Sequence, residues 1–279
     1  METEANNARF LERVAAFLNG CPSAIDAALV RETARDCGVD AHAAYLLLLA
    51  GAMDLYADRE LYERYLKASV IGLDPSAYEN DPYRKAIRFP AAADGAWTLK
   101  TEAYAPYELF VCGDMARTFD GRVLPRLGYF AAPFSYPCVL QNGRLWMSVT
   151  PNEIETMKRP IERARGDVCA YGLGMGYFAF MASEKREVGR VTVVERDASA
   201  IRLFRQYLLP QFPQRDKILL VHGDALDYAE ERHAHDFVFA DLWHDVSDGL
   251  PLWRALRRSE REGTEYAYWI EDTMRLYDA

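Results

Sequence analysis

The spacing of apolar residues divides the chain into three stretches. Through residues 1–88 apolar side chains recur every three or four positions, as at Phe10, Val14 and Phe17, which predicts a helical N-terminal region. Between 89 and 150 the pattern changes to short runs of aromatic and β-branched residues, which predicts a short antiparallel β segment. From 151 to 279 predicted helices and strands alternate, which indicates an α/β domain with a mostly parallel sheet.

Turn residues place the ends of several of these elements. Asn142-Gly143 separates two β-type runs, and this pair favours a two-residue hairpin turn in which both residues have positive φ. In the C-terminal stretch the apolar runs predict strands at 167–172, 190–195, 217–221, 236–241 and 265–270. Predicted helices lie between and before them, at 152–164, 176–186, 198–209, 225–231 and 250–260.

Composition and charge exclude some classes of function and partner. The formal net charge of -9 argues against nucleic acid as a partner, because an anionic surface repels a phosphate backbone. The five cysteines form no C-x-x-C pair, so we expect a reduced, cytoplasmic protein. The longest apolar run, Ala43 to Met53, is shorter than the roughly 20 residues of a membrane span, and we expect no membrane partner.

A glycine-rich turn follows the first strand of the alternating region. Gly172, Gly174 and Gly176 stand where that strand passes into its helix, and glycine there lets the backbone approach a ligand and adopt conformations that a side chain forbids. A dinucleotide-binding G-x-G-x-x-G loop would need a third glycine at position 177, which is Tyr177. The loop is instead G-x-G-x-G.

Acidic residues end or follow three further strands. Glu195 ends the second strand 19 residues after Gly176, and its two oxygens match the two vicinal hydroxyls of a ribose. Asp224 follows the third strand, where it can accept a hydrogen bond from an adenine amino group. Asp241 ends the fourth strand, at the edge where open α/β sheets bind ligands.

In this order the four signals resemble the class I S-adenosylmethionine-dependent methyltransferases. The resemblance covers residues 167–248 and implies a Rossmann-like fold, with helices on both faces of the sheet and S-adenosylmethionine as cofactor. It further implies that 151–279 is the cofactor-binding domain. The residues that it implies for the cofactor are Tyr171, Gly172, Gly174, Gly176, Tyr177, Glu195, Arg196, Asp224, Ala225 and Asp241.

Two narrower resemblances bear on the reaction. Residues 152–157 and Gly223-Asp-Ala are similar to the spermidine synthase branch, which transfers an aminopropyl group, but that branch's Gly-Gly-Gly loop and Asp-Pro ending are absent. Asp241 and His244, followed by Glu271-Asp272, are similar to the Mg²⁺-binding pattern of catechol O-methyltransferase. The lysine and asparagine of that pattern are missing, and we expect no metal.

The leading hypothesis is a methyltransferase that acts on a small molecule, with Asp241 and His244 as candidate catalytic residues. The alternatives are a spermidine-synthase-like aminopropyl or alkyl transferase and a non-catalytic S-adenosylmethionine-binding protein. In the methyltransferases that the motifs resemble, further strands follow the fifth one, whereas the last strand predicted here is 265–270. We therefore expect the open edge of this strand to be covered by another part of the chain or by a second copy in a homodimer.

Overall fold

The structure is a computed structural model that describes residues 2–231 and 233–278. Its α-helices are α1 (Glu2–Gly20), α2 (Ala27–Cys37), α3 (Ala41–Ala52), α4 (Lys67–Ser69), α5 (Pro75–Glu79), α6 (Pro82–Ala86), α7 (Pro151–Arg163), α8 (Tyr177–Ser183), α9 (Ala198–Leu203), α10 (Ala225–Glu230), α11 (Val246–Arg258) and α12 (Glu271–Tyr277). Short π-helical segments precede α4 and follow α9, at Leu61–Leu66 and Phe204–Leu208. None of the helices within these described ranges is long and apolar enough to cross a membrane.

The strands form three sheets. They are β1 (Val70–Gly72), β2 (Ala92–Asp94), β3 (Trp97–Tyr104), β4 (Phe110–Arg117), β5 (Val123–Tyr129), β6 (Phe134–Gln141), β7 (Arg144–Ser148), β8 (Gly166–Tyr171), β9 (Val188–Glu195), β10 (Ile218–His222), β11 (Phe237–Ala240) and β12 (Glu265–Tyr268). The strand orders are β1-β5-β4, β2-β3-β6-β7 and β10-β9-β8-β11-β12.

The chain divides into two compact units that alternate along the sequence. The first contains Met1–Ser76 and Ala103–Ser135, and the second contains Ala77–Glu102 and Tyr136–Ala279. The β segment predicted for 89–150 therefore contributes strands to both units. The boundaries at 88 and 150 that the apolar pattern suggests do not coincide with these divisions.

The first unit packs helices with the β1-β5-β4 sheet. Asp26 and Asp40 cap the N-termini of α2 and α3 by accepting hydrogen bonds from backbone N–H groups of the first turn. Tyr45 on α3 is fully buried, and its hydroxyl donates to the carbonyl of Tyr107 at 2.8 Å. The three-residue strand β1, which pairs in parallel with β5, lies within the stretch that the sequence predicted to be helical.

The second unit contains the five-stranded sheet, in which every pairing is parallel. The order confirms the predicted Rossmann-like architecture: from β8 the chain runs outward through β9 and β10, and then returns to the other side of β8 with β11 and β12. Because parallel crossovers are right-handed, this reversal places helices on both faces. It also creates a topological switch point at the carboxyl ends of β8 and β11, where such sheets bind ligands.

The predicted hairpin is also confirmed. β6 and β7 pair antiparallel up to Gln141 and Arg144, which leaves Asn142 and Gly143 as the two turn residues. Their φ angles are 51° and 78°. Both are positive, as the two-residue turn requires.

Candidate functional site

A tight loop joins β8 to α8 at the carboxyl edge of the parallel sheet. Its residues 172–176, called the glycine loop below, include Gly172, Gly174 and Gly176 with φ angles of 95°, 51° and 79°. A side chain at such positive φ meets its own backbone, so glycine is favoured at all three positions. The predicted conformational need for glycine is therefore confirmed.

Protein atoms fill the space beside these glycines. A Cβ atom on Gly174 would lie 2.0 Å from the Sδ atom of Met147 on β7. One on Gly176 would lie 2.4 Å from a ring carbon of Phe204. Because glycine has no side chain, the side chains of Met147 and Phe204 can occupy this space. From the sequence, we had expected a ligand to occupy it.

Glu195 ends β9 beside the glycine loop. Its Oε2 atom accepts a hydrogen bond from the backbone N–H of Leu173 at 3.2 Å, and its Oε1 atom accepts one from Asp197 at 2.8 Å. Burial raises the pKa of this half-buried carboxyl. Because a carboxylate has about four lone-pair sites, these two bonds leave capacity for further donors such as two ribose hydroxyls.

Asp241 follows β11 at the switch point and lies against the same loop. Its backbone N–H donates to the carbonyl of Tyr171 at 2.9 Å, and its own carbonyl oxygen would lie 2.1 Å from a Cβ atom on Gly172. The side chain is half-buried, and burial raises the pKa of Asp241 to about 7. A carboxyl of this kind accepts and releases a proton near neutral pH.

A second acid, Glu153, is close enough to Asp241 to feel its charge. It lies in the first turn of α7 with 9% of its surface exposed, and among the described residues its Oε2 atom has no hydrogen-bond partner. Burial and the charge of Asp241 raise the pKa of Glu153 well above its usual range. Two neighbouring acids of this kind resist ionising together, because each negative charge disfavours the other.

Helix α6 braces the glycine loop from a distant part of the sequence. Asp81 caps this helix, and its Oδ2 atom accepts a hydrogen bond from the hydroxyl of Tyr177 at 2.9 Å. The hydroxyl of the fully buried Tyr83 donates to the carbonyl of Met175 inside the loop. No sequence motif predicted a role for Glu153, Asp81 or Tyr83. For Glu153 the available signal was an acid on the otherwise apolar face of α7.

Of the remaining predicted cofactor residues, some are exposed and others are buried. Asp224 is exposed and caps α10 by accepting from the N–H of Leu226 at 2.7 Å, and Ala225 behind it is buried. Arg196 is exposed, and its carbonyl accepts from His222 at 3.1 Å. The rings of Tyr171 and Tyr177 are buried, so these side chains line the core. The structure brings the glycine loop, Glu195 and Asp241 together. For these residues and for the other predicted cofactor residues, binding of the cofactor stays a prediction.

His244, the other candidate catalytic residue, lies on the exposed segment after Asp241. Its Nδ1 atom is 3.2 Å from a carboxylate oxygen of Asp248, and its ring meets Trp146 edge to face at 4.1 Å between centroids. The neighbouring Trp243 is buried, and it packs against Gly249 in α11. His244 is thus positioned by an acid and an aromatic ring, and its catalytic role stays a prediction.

The acids of the catechol O-methyltransferase-like pattern lie on a helix. The fifth strand was predicted to reach position 270, directly before these acids, but β12 ends at Tyr268, and Glu271 and Asp272 begin α12. Glu271 forms an ion pair with Arg275 at 2.5 Å. Within residues 2–231 and 233–278, no group of three or more His, Cys, Asp or Glu side chains is arranged as a metal site.

Comparisons with known proteins give matches only among solved structures. Neither a family model nor a curated protein matches the sequence. Precorrin-8W decarboxylase of Methanobacterium thermoautotrophicum is 18% identical, with a TM-score of 0.33, over 44% of this chain and 65% of its own. Spermidine synthase of Thermotoga maritima is 15% identical, with a TM-score of 0.36, over 47% and 48% of the two chains. A candidate O-methyltransferase of Klebsiella pneumoniae is 22% identical, with a TM-score of 0.30, over 39% and 50%.

In each of these comparisons the chain spans less than two thirds of the other protein's length. Methyltransferases and spermidine synthases are the two kinds of protein that the sequence motifs resemble, and both occur among the matches. The strand order β10-β9-β8-β11-β12 is what shows that the second unit contains a Rossmann-like α/β fold.

Proposed function

We propose that this chain is an S-adenosylmethionine-dependent methyltransferase acting on a small molecule. The observation that carries the proposal is the hydrogen bond between Leu173 in the glycine loop and the carboxylate of Glu195. This bond holds the Glu195 carboxylate next to the loop at the switch point of the sheet, and the carboxylate can still accept further hydrogen bonds. A ribose held by Glu195 would place the rest of an adenosyl ligand along that loop, towards Asp241.

The roles of the chain's own residues follow from their surroundings. S-adenosylmethionine supplies a methyl group on a positively charged sulfur. Asp241, ionised in part at neutral pH, accepts the proton that the acceptor loses as its new bond to the methyl carbon forms. His244 orients the acceptor at the exposed side of the same segment. Since methyl transfer is a direct displacement, placing the two reactants in line accounts for most of the rate.

A second candidate, aminopropyl transfer to an amine, is supported by the acidic pair of Glu153 and Asp241. No cation contributes to the pKa of either group, and Oε2 of Glu153 has no hydrogen-bond partner among the described residues. A protonated amine would supply the missing positive charge. Calorimetry with S-adenosylmethionine and its decarboxylated form distinguishes the candidates, because an aminopropyl transferase prefers the decarboxylated compound.

The proposal is tested by measuring the binding of S-adenosylhomocysteine by calorimetry. We expect the wild-type protein to bind it and the Glu195→Gln variant to bind it about tenfold to a hundredfold more weakly, because hydrogen bonds to a charged group contribute about 1.5–3 kcal/mol. Glu187→Gln is the matched control: it makes the same change at an exposed position just before the other end of β9.

We expect the control to bind like the wild type. Absence of binding to the wild-type protein, or equal affinities for wild type and Glu195→Gln, contradicts the proposal.

A further inference from the structure

Strand β10 forms one edge of the five-stranded sheet, and within residues 2–231 and 233–278 no strand pairs with its outer side. Its sequence, Ile218-Leu-Leu-Val-His222, contains no Lys, Arg, Asp, Glu or Pro. Its register with β9 is regular along its whole length, without a bulge. Soluble proteins commonly protect edge strands with charges, prolines or bulges. Because β10 has none of these, its backbone is open to pairing with a further strand.

The apolar side chains of β10 are also less buried than those of an inner strand. Leu219 has 47% of its surface exposed, and Leu220 and Val221 are half-buried, whereas every residue of β11 is buried. On one face of the sheet, Leu219 and Val221 line an open cavity of about 560 Å³. The helix that follows, α10, is six residues long and leaves this part of the sheet face uncovered. A strand added at this edge would bury apolar surface as well as pair the backbone.

The opposite edge of the sheet, β12, is contacted by the chain itself. The carbonyl of Tyr266 accepts a hydrogen bond from the guanidinium of Arg163 on α7 at 3.2 Å. Ala267 and Tyr268 are buried. From the sequence, we expected this edge to be covered by another part of the chain or by a second copy. The contact with α7 leaves β10 as the edge that is available to a second copy.

Charged residues of opposite sign flank the two ends of β10. Arg215 and Lys217 precede the strand and outnumber Asp216 between them, and Asp224 and Asp227 follow it. Arg215 and Asp227 are both exposed. An antiparallel second β10 would bring the basic end of each copy near the acidic end of the other, whereas a parallel one would place like charges together.

We propose that β10 pairs antiparallel with β10 of a second copy of this chain, so that the two parallel sheets continue into one another. An antiparallel pair of identical strands has two-fold symmetry, which closes the assembly at two chains. The pairing satisfies the outward N–H and C=O groups, shields Leu219 from water and joins oppositely charged strand ends. It goes beyond the proposed function and does not depend on it.

The proposal is tested by sedimentation velocity of the full chain over a range of micromolar concentrations. Leu219→Lys places a charge on the outer strand, and because Leu219 is exposed the fold does not require it. Leu29→Lys, at a leucine of α2 that is 40% exposed, is the matched control. Amide hydrogen exchange of residues 218–222 is a second readout, because pairing protects the outward N–H groups.

We expect the wild type to sediment as two chains, and residues 218–222 to exchange more slowly as the protein concentration rises. Leu219→Lys should raise the dimer Kd about a hundredfold, since the symmetry removes the apolar contact and adds a buried charge twice in each dimer. Leu29→Lys should dimerise like the wild type.

A charge exchange tests the antiparallel direction. Arg215→Glu and Asp227→Arg should each raise the dimer Kd about threefold, because each removes attraction between exposed charges at both symmetric ends. The double variant Arg215→Glu/Asp227→Arg should recover the affinity of the wild type, since the opposite charges again face each other.

A wild type that sediments as one chain, or as an assembly larger than two chains, overturns the proposal. Dimerisation of Leu219→Lys with the affinity of the wild type does so as well. A double variant that dimerises more weakly than both single variants overturns the antiparallel arrangement. None of these outcomes bears on the binding of S-adenosylhomocysteine, which tests the proposed function separately.

Discussion

Replacing Asp241 by asparagine should stabilise the protein at alkaline pH. A carboxyl whose pKa is raised in the folded state favours folding while it is protonated, and this contribution is lost as the pH rises from its ordinary pKa of 3.8 to about 7. The shift corresponds to an upper limit of about 4 kcal/mol at about 1.36 kcal/mol per pKa unit. Because the side chain is half-buried and interacts with the charge of Glu153, solvent screening and the interaction between the two acids reduce the expected effect to about 2 kcal/mol.

The assay is urea unfolding at several pH values between 4 and 8. We expect the unfolding free energy of the wild type to fall relative to that of Asp241→Asn across this range, so that the variant is the more stable protein at pH 8. Asp216→Asn, which changes an exposed acid, is the control and should follow the wild type. Parallel pH profiles for wild type and Asp241→Asn would refute the reasoning.

Two further predictions concern the glycine loop. Tyr83→Phe should lower the unfolding free energy by about 1–2 kcal/mol and weaken S-adenosylhomocysteine binding, because the buried carbonyl of Met175 loses its donor; equal Tm and Kd values would exclude this bracing role. Gly176→Ala should cost about 3 kcal/mol in urea unfolding through its positive φ and its contact with Phe204, whereas Gly143→Ala, with a similar φ and open space, should cost about 1 kcal/mol. An equal loss of unfolding free energy in the two variants would show that the close contact of Gly176 with Phe204 has no effect on stability.

Local sequence signals were sufficient for the parallel sheet. The strand Phe237–Ala240 is a continuous, fully buried apolar run, which is typical of the strands of a parallel sheet. The positive φ at Asn142 and Gly143 follows from the two-residue hairpin. The order of the five strands follows from the resemblance and the handedness of crossovers rather than from any single residue.

The sequence did not predict contacts between residues far apart in the chain. Met147 is 28 residues from Met175, and Tyr83 is 92 residues away from it, so no local spacing links them. The short strand β1 was missed for the same reason, because its three residues form a strand only by pairing with β5. The glycines were assigned to ligand contact since the sequence alone does not show that Met147 and Phe204 fill the adjacent space.

The most direct test of the central claim is a crystal structure of the protein grown with S-adenosylhomocysteine. The account predicts that both ribose hydroxyls donate to the carboxylate of Glu195 and that the ligand's sulfur lies beside the glycine loop. A structure in which the nucleoside binds elsewhere, with Glu195 in contact only with the protein, would contradict it.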